Sequence, residues 1–509
     1  MPPSHPDATP RKPIVPAARG IAALLLCVLV LITWAQFDNE LHYDEAIYLN
    51  IAKAINRTGI PYRSCFHEAN PDSVFVTSPP LVTYVASWTQ RFWPSRELPS
   101  RLGHLLVFAL PTYLLIWYVS RREYGDVAAC FSLVALAGCR VFLEEMAMIH
   151  LDGPLAFFGL LALWAMHEAT RQQASPWWSL LAGGALFAAV WTKYQAICLP
   201  VAVGFYLGYL ACLRDKASLK RTIRPVAAMG VAGVLAVATL YAYFRFHAGL
   251  EWAELLGGIT RNVNRVGAPP ESFGAVLAAT LAEGIHYLGD HLLVVACLAM
   301  VPGKVPSRLA ALLLCFCLAT ILFNLWAYRM PGGGSYYLNE MAPALAVLVG
   351  RPVAVALSWP KGLKRTVLVA AVVVLLGIQW EKKRPWNLAW PMGHGNRVKA
   401  VAGYLKAHTR EEDWLLAQDV APEFYTDRRT GVLRYADPDA VRASLTGKSP
   451  PRVAYVILQN FGKAPPHPEL ADCWKEYRRL LEEHYEKIPV GDEELVILKR
   501  KQARPPGER

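Results

Sequence analysis

The sequence predicts a polytopic α-helical membrane protein of about eleven spans, followed by a small extracytoplasmic α/β domain. Three observations carry that prediction. Hydrophobic residues fill 54% of the 509 positions and charged residues only 18%, with 16 Trp and a mean hydropathy of +0.25, far from the usage of an ordinary soluble chain. Apolar runs of about 20 residues recur between positions 19 and 380. After Trp380 the pattern changes to short apolar runs alternating with helical periodicity.

The net charge of +12 could mean nucleic acid, but the basic residues fall in short links between apolar runs rather than in one stripe. They read as topology signals. Residues 1–18 form a Pro-rich tail with Arg11 and Lys12, and the apolar run that follows has no small-residue cleavage site, so it is a retained span. The predicted spans are 19–36, 102–120, 126–143, 152–168, 177–192, 194–213, 225–246, 288–303, 308–328, 337–357 and 365–380. Arg11/Lys12/Arg19, Arg121/Arg122, Arg171, the Arg214–Arg224 cluster, Lys304/Arg308 and Lys361/Lys364/Arg365 then all fall on one side, the cytoplasm by the positive-inside rule. The membrane domain is therefore 19–380, with an outer loop at 37–101, and the C-terminal domain 381–498 is extracytoplasmic.

The outer loop holds adjacent acids, Asp44 and Glu45, just before Ile47, Ile51, Ala54 and Ile55, which recur at three- and four-residue steps. Asn50, Lys53, Asn56 and Arg57 occupy the other face, so the stretch reads as a helix lying in the membrane surface. Taken alone, the two acids are a capping residue and an exposed neighbour at a helix N-terminus. Other outer-side ends add charge: Arg140 and Glu144-Glu145, then His150 and Asp152, then Lys193, Arg245 and His247, and Arg329 before Pro331-Gly332-Gly333-Gly334. Asp152 with Pro154 suits a helix start, and Lys193 splits a run too long for one span, turning the chain and exposing its ammonium at the boundary. Acids and cations converging at one end of a bundle are costly, which makes them a functional hypothesis. A carboxylate can take a proton from an acceptor attacking an anomeric carbon, while cations stabilise a departing phosphate. A transporter without catalysis is the alternative, but it would place its charges mid-span in repeated halves, and no internal repeat is visible.

The order of an apolar first span, His42-Tyr43-Asp44-Glu45 and Ser78-Pro79-Pro80-Leu81 resembles the first outer loop of the protein O-mannosyltransferase and aminoarabinose transferase superfamily of GT-C glycosyltransferases. Leu151-Asp152-Gly153-Pro154-Leu155-Ala156-Phe157-Phe158, Thr192-Lys193 with Pro200, and Tyr336-Tyr337-Leu338 with Pro343-Ala344-Leu345-Ala346 extend the resemblance over roughly residues 20 to 380. It implies inverting transfer of a monosaccharide from a polyprenyl-phosphate donor to an extracytoplasmic protein, lipid A or lipid-linked glycan. Asp44 would be the catalytic base, Glu45 and Asp152 would bind the acceptor, and Lys193 and Arg329 the donor phosphate. Tyr43, His150, Tyr336 and Tyr337 would line the cavity. No cofactor and no metal are expected; the lipid-phosphate sugar is a substrate. Ser78 stands where aminoarabinose transferases carry a lysine, a departure that argues against lipid A.

The long outer loop at 247–287 is a candidate lid. In the C-terminal domain the strands are expected at Trp414 to Ala417, Val453 to Leu458 and Glu494 to Leu498, and the helices at Val398 to His408, Pro438 to Leu445 and Pro468 to Tyr485. A basic tail, 499–509, ends the chain. Eight of the ten cysteines lie in apolar segments without metal-type spacing, leaving Cys65 and Cys473 as the pair that could meet outside the membrane.

Overall fold

The computed structural model describes residues 16–39, 41–62, 78–92, 97–171, 174–253, 298–300, 308–327, 335–385, 387, 397–418, 420–433, 438–447, 453–459, 471–489 and 495–501. Arg329, Cys65, most of the 247–287 loop and most of the predicted span 288–303 lie outside these residues, as do the side chains of Tyr43, Tyr336 and Tyr337.

Among the described residues, seven helical stretches are long and apolar enough to cross a membrane, or eight if one sharply bent pair counts as a span. The first four of the single stretches are Pro16–Trp34, Glu97–Tyr124, Tyr194–Cys212 and Lys216–His247; the others are Arg308–Leu325, Leu338–Ser358 and Leu363–Lys383. In chain order the helices of the first half are α1 (Pro16–Trp34), α2 (Tyr43–Thr58), α3 (Leu81–Gln90), α4 (Glu97–His104), α5 (Leu110–Tyr124), α6 (Asp126–Ala137), α7 (Arg140–Ala147), α8 (Asp152–Ala169), α9 (Pro176–Thr192), α10 (Cys198–Cys212) and α11 (Lys216–Ala248). The α8–α9 and α9–α11 pairs are tightly apposed, and helix Ala342–Ser358 runs through the middle of the bundle against α5 and α6. Small residues permit such approaches where lipid gives little hydrophobic drive between helices. A Cβ on Gly350 would lie 2.9 Å from both Ser132 Oγ and Tyr124 Cδ2, so only glycine fits there without a shift.

Three expectations are corrected. The predicted span 126–143 is not one straight helix: α6 and α7 meet within it at a 78° bend. The span predicted at 102–120 is longer, because α4 and α5 are joined through a π-turn at Leu105–Ala109 into one 28-residue stretch, Glu97–Tyr124. The basic cluster after Leu213 is the first turns of α11 rather than a loop, with Asp215 capping it by accepting from the Ser218 amide at 3.0 Å.

The C-terminal domain is a five-stranded sheet in the order β2-β1-β3-β5-β4, with β1 (Trp414–Ala417), β2 (Thr430–Val432), β3 (Val453–Gln459), β4 (Tyr485–Ile488) and β5 (Leu495–Arg500). Strands β2, β1 and β3 are parallel, and β5 and β4 add antiparallel. The period-two pattern sorts the side chains onto two covered faces. Val456, Leu458, Val496 and Leu498 pack under helices Pro438–Thr446 and Ala471–His484, while Tyr455, Ile457, Leu495 and Ile497 pack under helix Arg397–His408. The expected strands and helices are all present. The sequence reading missed β2, β4 and the short helix Ala421–Thr426, and it assigned Lys499 and Arg500 to a tail although they end β5.

Helix α2 also differs from expectation. Its apolar face packs on α3, Phe108, Ile149 and Leu151, and although Asn56 and Arg57 on the polar face are exposed, the helix does not lie open on the surface. The C-terminal domain covers it through Val420, Ala421, Phe424 and Tyr425, which share one buried cluster with Ala46, Ile47, Ile51 and Ile55.

Candidate active site

Asp44 and Glu45 lie in the first turn of α2, where helix-dipole and amide groups favour negative charge. Being adjacent on a helix, they point about 100° apart, and their surroundings diverge accordingly. The Asp44 side chain keeps 44% of its exposure. Glu45 is sealed at 0%, where Arg101 of α4 grips both its oxygens, with Nε donating to Oε1 at 2.8 Å and Nη2 to Oε2 at 2.6 Å. The Ile149 amide donates to the same carboxylate at 3.2 Å, and Arg101 Nη1 donates to the Asn39 carbonyl at 3.0 Å. A buried carboxylate needs this degree of pairing, because an unpaired one costs several kcal/mol.

Asp44 is the exposed end of a chain of charges that runs into the protein. His150, in the connection between α7 and α8, places Nε2 3.5 Å from Asp44 Oδ2. Its Nδ1 lies 2.5 Å from Glu145 Oε2 and 2.8 Å from Asp152 Oδ2. Lys193 Nζ donates to Asp152 Oδ1 and, at 3.2 Å, to Glu340 Oε1. Glu145, His150, Asp152, Lys193 and Glu340 are all buried. Breaks in regular helix deliver each of them: the α6–α7 bend brings Glu145, the non-helical step at Met148 brings His150, and the 3-10 segment Ser335–Met341 brings Glu340. Lys193 sits in extended geometry, φ −159° and ψ 142°, between α9 and the 3-10 turn Tyr194–Ile197.

This environment tunes the two groups at the mouth. Burial pushes the Asp44 carboxyl up, but the hydrogen bond and charge of His150, with His42 nearby, outweigh it and hold it below its usual value. Burial alone would strip His150 of its proton, yet Glu145, Asp152 and Asp44 together raise it well above 6.5. At neutral pH the mouth therefore presents a carboxylate hydrogen-bonded to an imidazolium.

Of the residues expected from sequence, Asp44, His150, Asp152 and Lys193 come together. Glu45 and Asp152, expected to bind the acceptor, are both fully buried, with their oxygens engaged by Arg101, His150 and Lys193. Lys193 does not expose its ammonium at the boundary but buries it between two acids. His247 lies elsewhere, its ring 4.6 Å from that of Tyr243, and Arg245 pairs with Glu251 at 2.5 Å. Sequence reasoning missed Arg101 and Glu340. Both carried a signal, an ionisable residue inside an otherwise apolar stretch, where charge at membrane depth needs a partner.

Among the described residues, two groups offer metal-type ligand atoms within 4.8 Å of one another. Glu145, His150 and Asp152 form one, and this acid-rich trio could hold a divalent cation in place of the His150 proton, with Lys193 meeting part of the Asp152 charge. Glu123, His167 and Glu168, where α5 and α8 end, form the other. There Arg122 lies 2.6 Å from Glu168 and Arg171 pairs with both acids, so arginines already supply the positive charge.

The helical bundle with its covered C-terminal sheet has the fold of solved GT-C membrane glycosyltransferases. Residues 77–244 match the family model described as dolichyl-phosphate-mannose-protein mannosyltransferase. ArnT from Cupriavidus metallidurans, solved bound to undecaprenyl phosphate, superposes with a TM-score of 0.64 over 96% of this chain and 99% of its own, at 16% identity. The oligosaccharyltransferase AglB from Archaeoglobus fulgidus, in complex with an inhibitory peptide and a dolichol-phosphate, superposes with a TM-score of 0.54 over 94% of this chain and 74% of its own, at 14% identity. The arabinofuranosyltransferase AftD from Mycobacteria gives 0.52 over 95% of this chain and 40% of its own, at 15% identity. No curated protein matches the sequence.

Proposed function

We propose that the protein is an inverting glycosyltransferase that moves a monosaccharide from a polyprenyl-phosphate donor to an acceptor on the extracytoplasmic face, with the N-terminus cytoplasmic. The observation that carries this reading is Asp44, the exposed carboxylate at the end of a buried charge chain, held by His150. The acceptor hydroxyl or amine attacks the anomeric carbon as Asp44 takes its proton, and the bond from that carbon to the phosphate oxygen breaks on the opposite face. The electron pair leaves with the phosphate, which the positive charge of Lys193 and of Arg329 would stabilise. Glu45 and Asp152 fix the geometry, through Arg101 and through His150 respectively. The acceptor is a protein, a lipid A or a lipid-linked glycan. ArnT was solved with undecaprenyl phosphate and AglB with dolichol-phosphate, which supports the donor class.

The test is transfer of labelled sugar from a set of polyprenyl-phosphate monosaccharides into membrane acceptors by wild type and Asp44→Asn. The substitution keeps size and removes the base, so transfer should fall about 10²- to 10⁴-fold with donor binding retained. Near-normal transfer by Asp44→Asn would overturn the assignment. A wild type that transfers nothing from any donor yet moves a lipid across the bilayer would replace it with the transporter reading.

A further inference from the structure

The polar face of α2 is fastened to one short segment of the C-terminal domain, Val420 to Asp427. Asn50 Nδ2 donates to the Val420 carbonyl at 3.4 Å. Lys53 Nζ donates to the Phe424 carbonyl and to Asp427 Oδ1, the latter at 2.8 Å, and lies 4.4 Å from the centre of the Phe424 ring. Arg57 reaches the same oxygen at 3.3 Å, and Lys406 takes the other at 2.9 Å. Asp427 thus gathers two cations from α2 and one from its own domain.

The segment is itself rigidly held. Asp427 terminates helix Ala421–Thr426 in the left-handed region at φ 56°, its amide bonded to the Glu423 carbonyl at 3.0 Å. Next to it, buried Arg428 donates to Thr409 Oγ1 and to the Thr409 carbonyl, each at 3.0 Å. On the far side α2 is pinned by Glu45 on Arg101, and the domain makes a separate tie to α4 through Lys399 and Glu97. Asp44 lies nine residues before Lys53 on the same helix, about 14 Å along its axis, so any tilt of α2 at Lys53 displaces the carboxylate at its other end.

We propose that Asp427 is a positioning residue for the transfer reaction: its clasp on Lys53 and Arg57 fixes the tilt of α2 and thereby the place of the Asp44 carboxylate relative to His150. The C-terminal domain is then the outer bearing of the catalytic helix. The proposal rests on Asp44 being the base.

The experiment measures kcat and donor KM, with folded protein quantified, for wild type, Asp44→Asn, Asp427→Asn, Asp427→Glu and Lys53→Met. Asp427→Asn and Lys53→Met should each lower kcat about 10- to 100-fold while donor KM changes less than about twofold, because misplacement of a reacting group is costly and the donor phosphate is bound elsewhere. Asp427→Glu should recover most of the loss. Combining Asp427→Asn with Asp44→Asn should add nothing to the Asp44→Asn loss, since there is then no base to misplace. Lys53→Met leaves Asp427 with Arg57 and Lys406, so it tests the clasp even where Asp427→Asn folds poorly. Wild-type kcat in folded Asp427→Asn or Lys53→Met, with Asp44→Asn inactive, would overturn the clasp alone. Activity in Asp44→Asn would instead overturn the assignment of the base.

Discussion

His150 uses both ring nitrogens, one toward Asp44 and one toward Glu145 and Asp152, so it links the partly exposed Asp44 to the buried acids. Asp44 is held below its usual value, so transfer should be supported at neutral pH and lost as pH falls through the Asp44 pKa. His150→Gln removes the opposing charge; the acid limb of the pH–rate profile should move to higher pH, with kcat at neutral pH reduced. An unmoved limb would show that His150 does not tune the base. Because His150 is raised above 6.5, the stability it contributes is full below its unfolded value and fades as pH rises through the folded one, so Tm in detergent should fall on the alkaline side. Arg101→Ala would leave Glu45 buried with the Ile149 amide but no countercharge and should cost about 3–5 kcal/mol, read as a fall in Tm or in folded yield. Asp44 and Glu45 were legible as an acidic pair at a helix start, but their division of labour was not. Which of two adjacent acids faces water depends on Arg101, 56 positions away, and sequence spacing carries no such information.

At the level of elements, long apolar runs announced the spans, since a bilayer demands an uninterrupted stretch of hydrophobic backbone-satisfied helix. The interruptions were less visible. The α6–α7 bend follows Gly138 and Cys139, and what holds it is remote: Gln379 donates to the Gly138 carbonyl at 2.9 Å and Trp380 Nε1 to the Val134 carbonyl at 2.8 Å. Strand β2 has three residues, and β4 continues straight from the end of helix Ala471–His484, so neither offers enough pattern to read. The two faces of α2 were legible, but the ion pair of Lys53 with Asp427 was not, because a polar face tied by ion pairs and a solvated one have the same composition. Helix contacts give a direct prediction. Gly350→Ala, where a Cβ meets Ser132 and Tyr124, should destabilise by about 1–3 kcal/mol, whereas Gly208→Ala on α10, with open space around it, should leave Tm unchanged or slightly raised. Equal Tm values for the two variants would show that the helices separate at Gly350 without cost.

For the molecule as a whole, the charged site at one end and the arginine-rich network of Glu123 and Glu168 at the other give the bundle two chemically different poles. The proposed sidedness makes a labelling prediction. In a background without native cysteines, Lys475→Cys, on the exposed face of helix Ala471–His484, should react with an impermeant thiol reagent added outside intact cells. Lys220→Cys, at the start of α11, should react only after the membrane is opened, and the reverse pattern would invert the topology. One local feature sets how the Glu45 anchor sits in this frame. The π-turn at Leu105–Ala109 carries a residue more than a regular helix of the same rise, and it separates the arm bearing Arg101 from the α5 segment against the bundle core. Loss of one residue there would let the helix run regular with the Arg101 arm still close to its present orientation, because the wider turn takes up the extra residue within nearly the same rotation and rise as a regular turn. Within this short stretch a missing residue has somewhere to be lost, so a one-residue deletion at Leu105–Ala109 should be better tolerated than one in the regular turns of α5 or α4, which would swing Arg101 by about 100° away from Glu45.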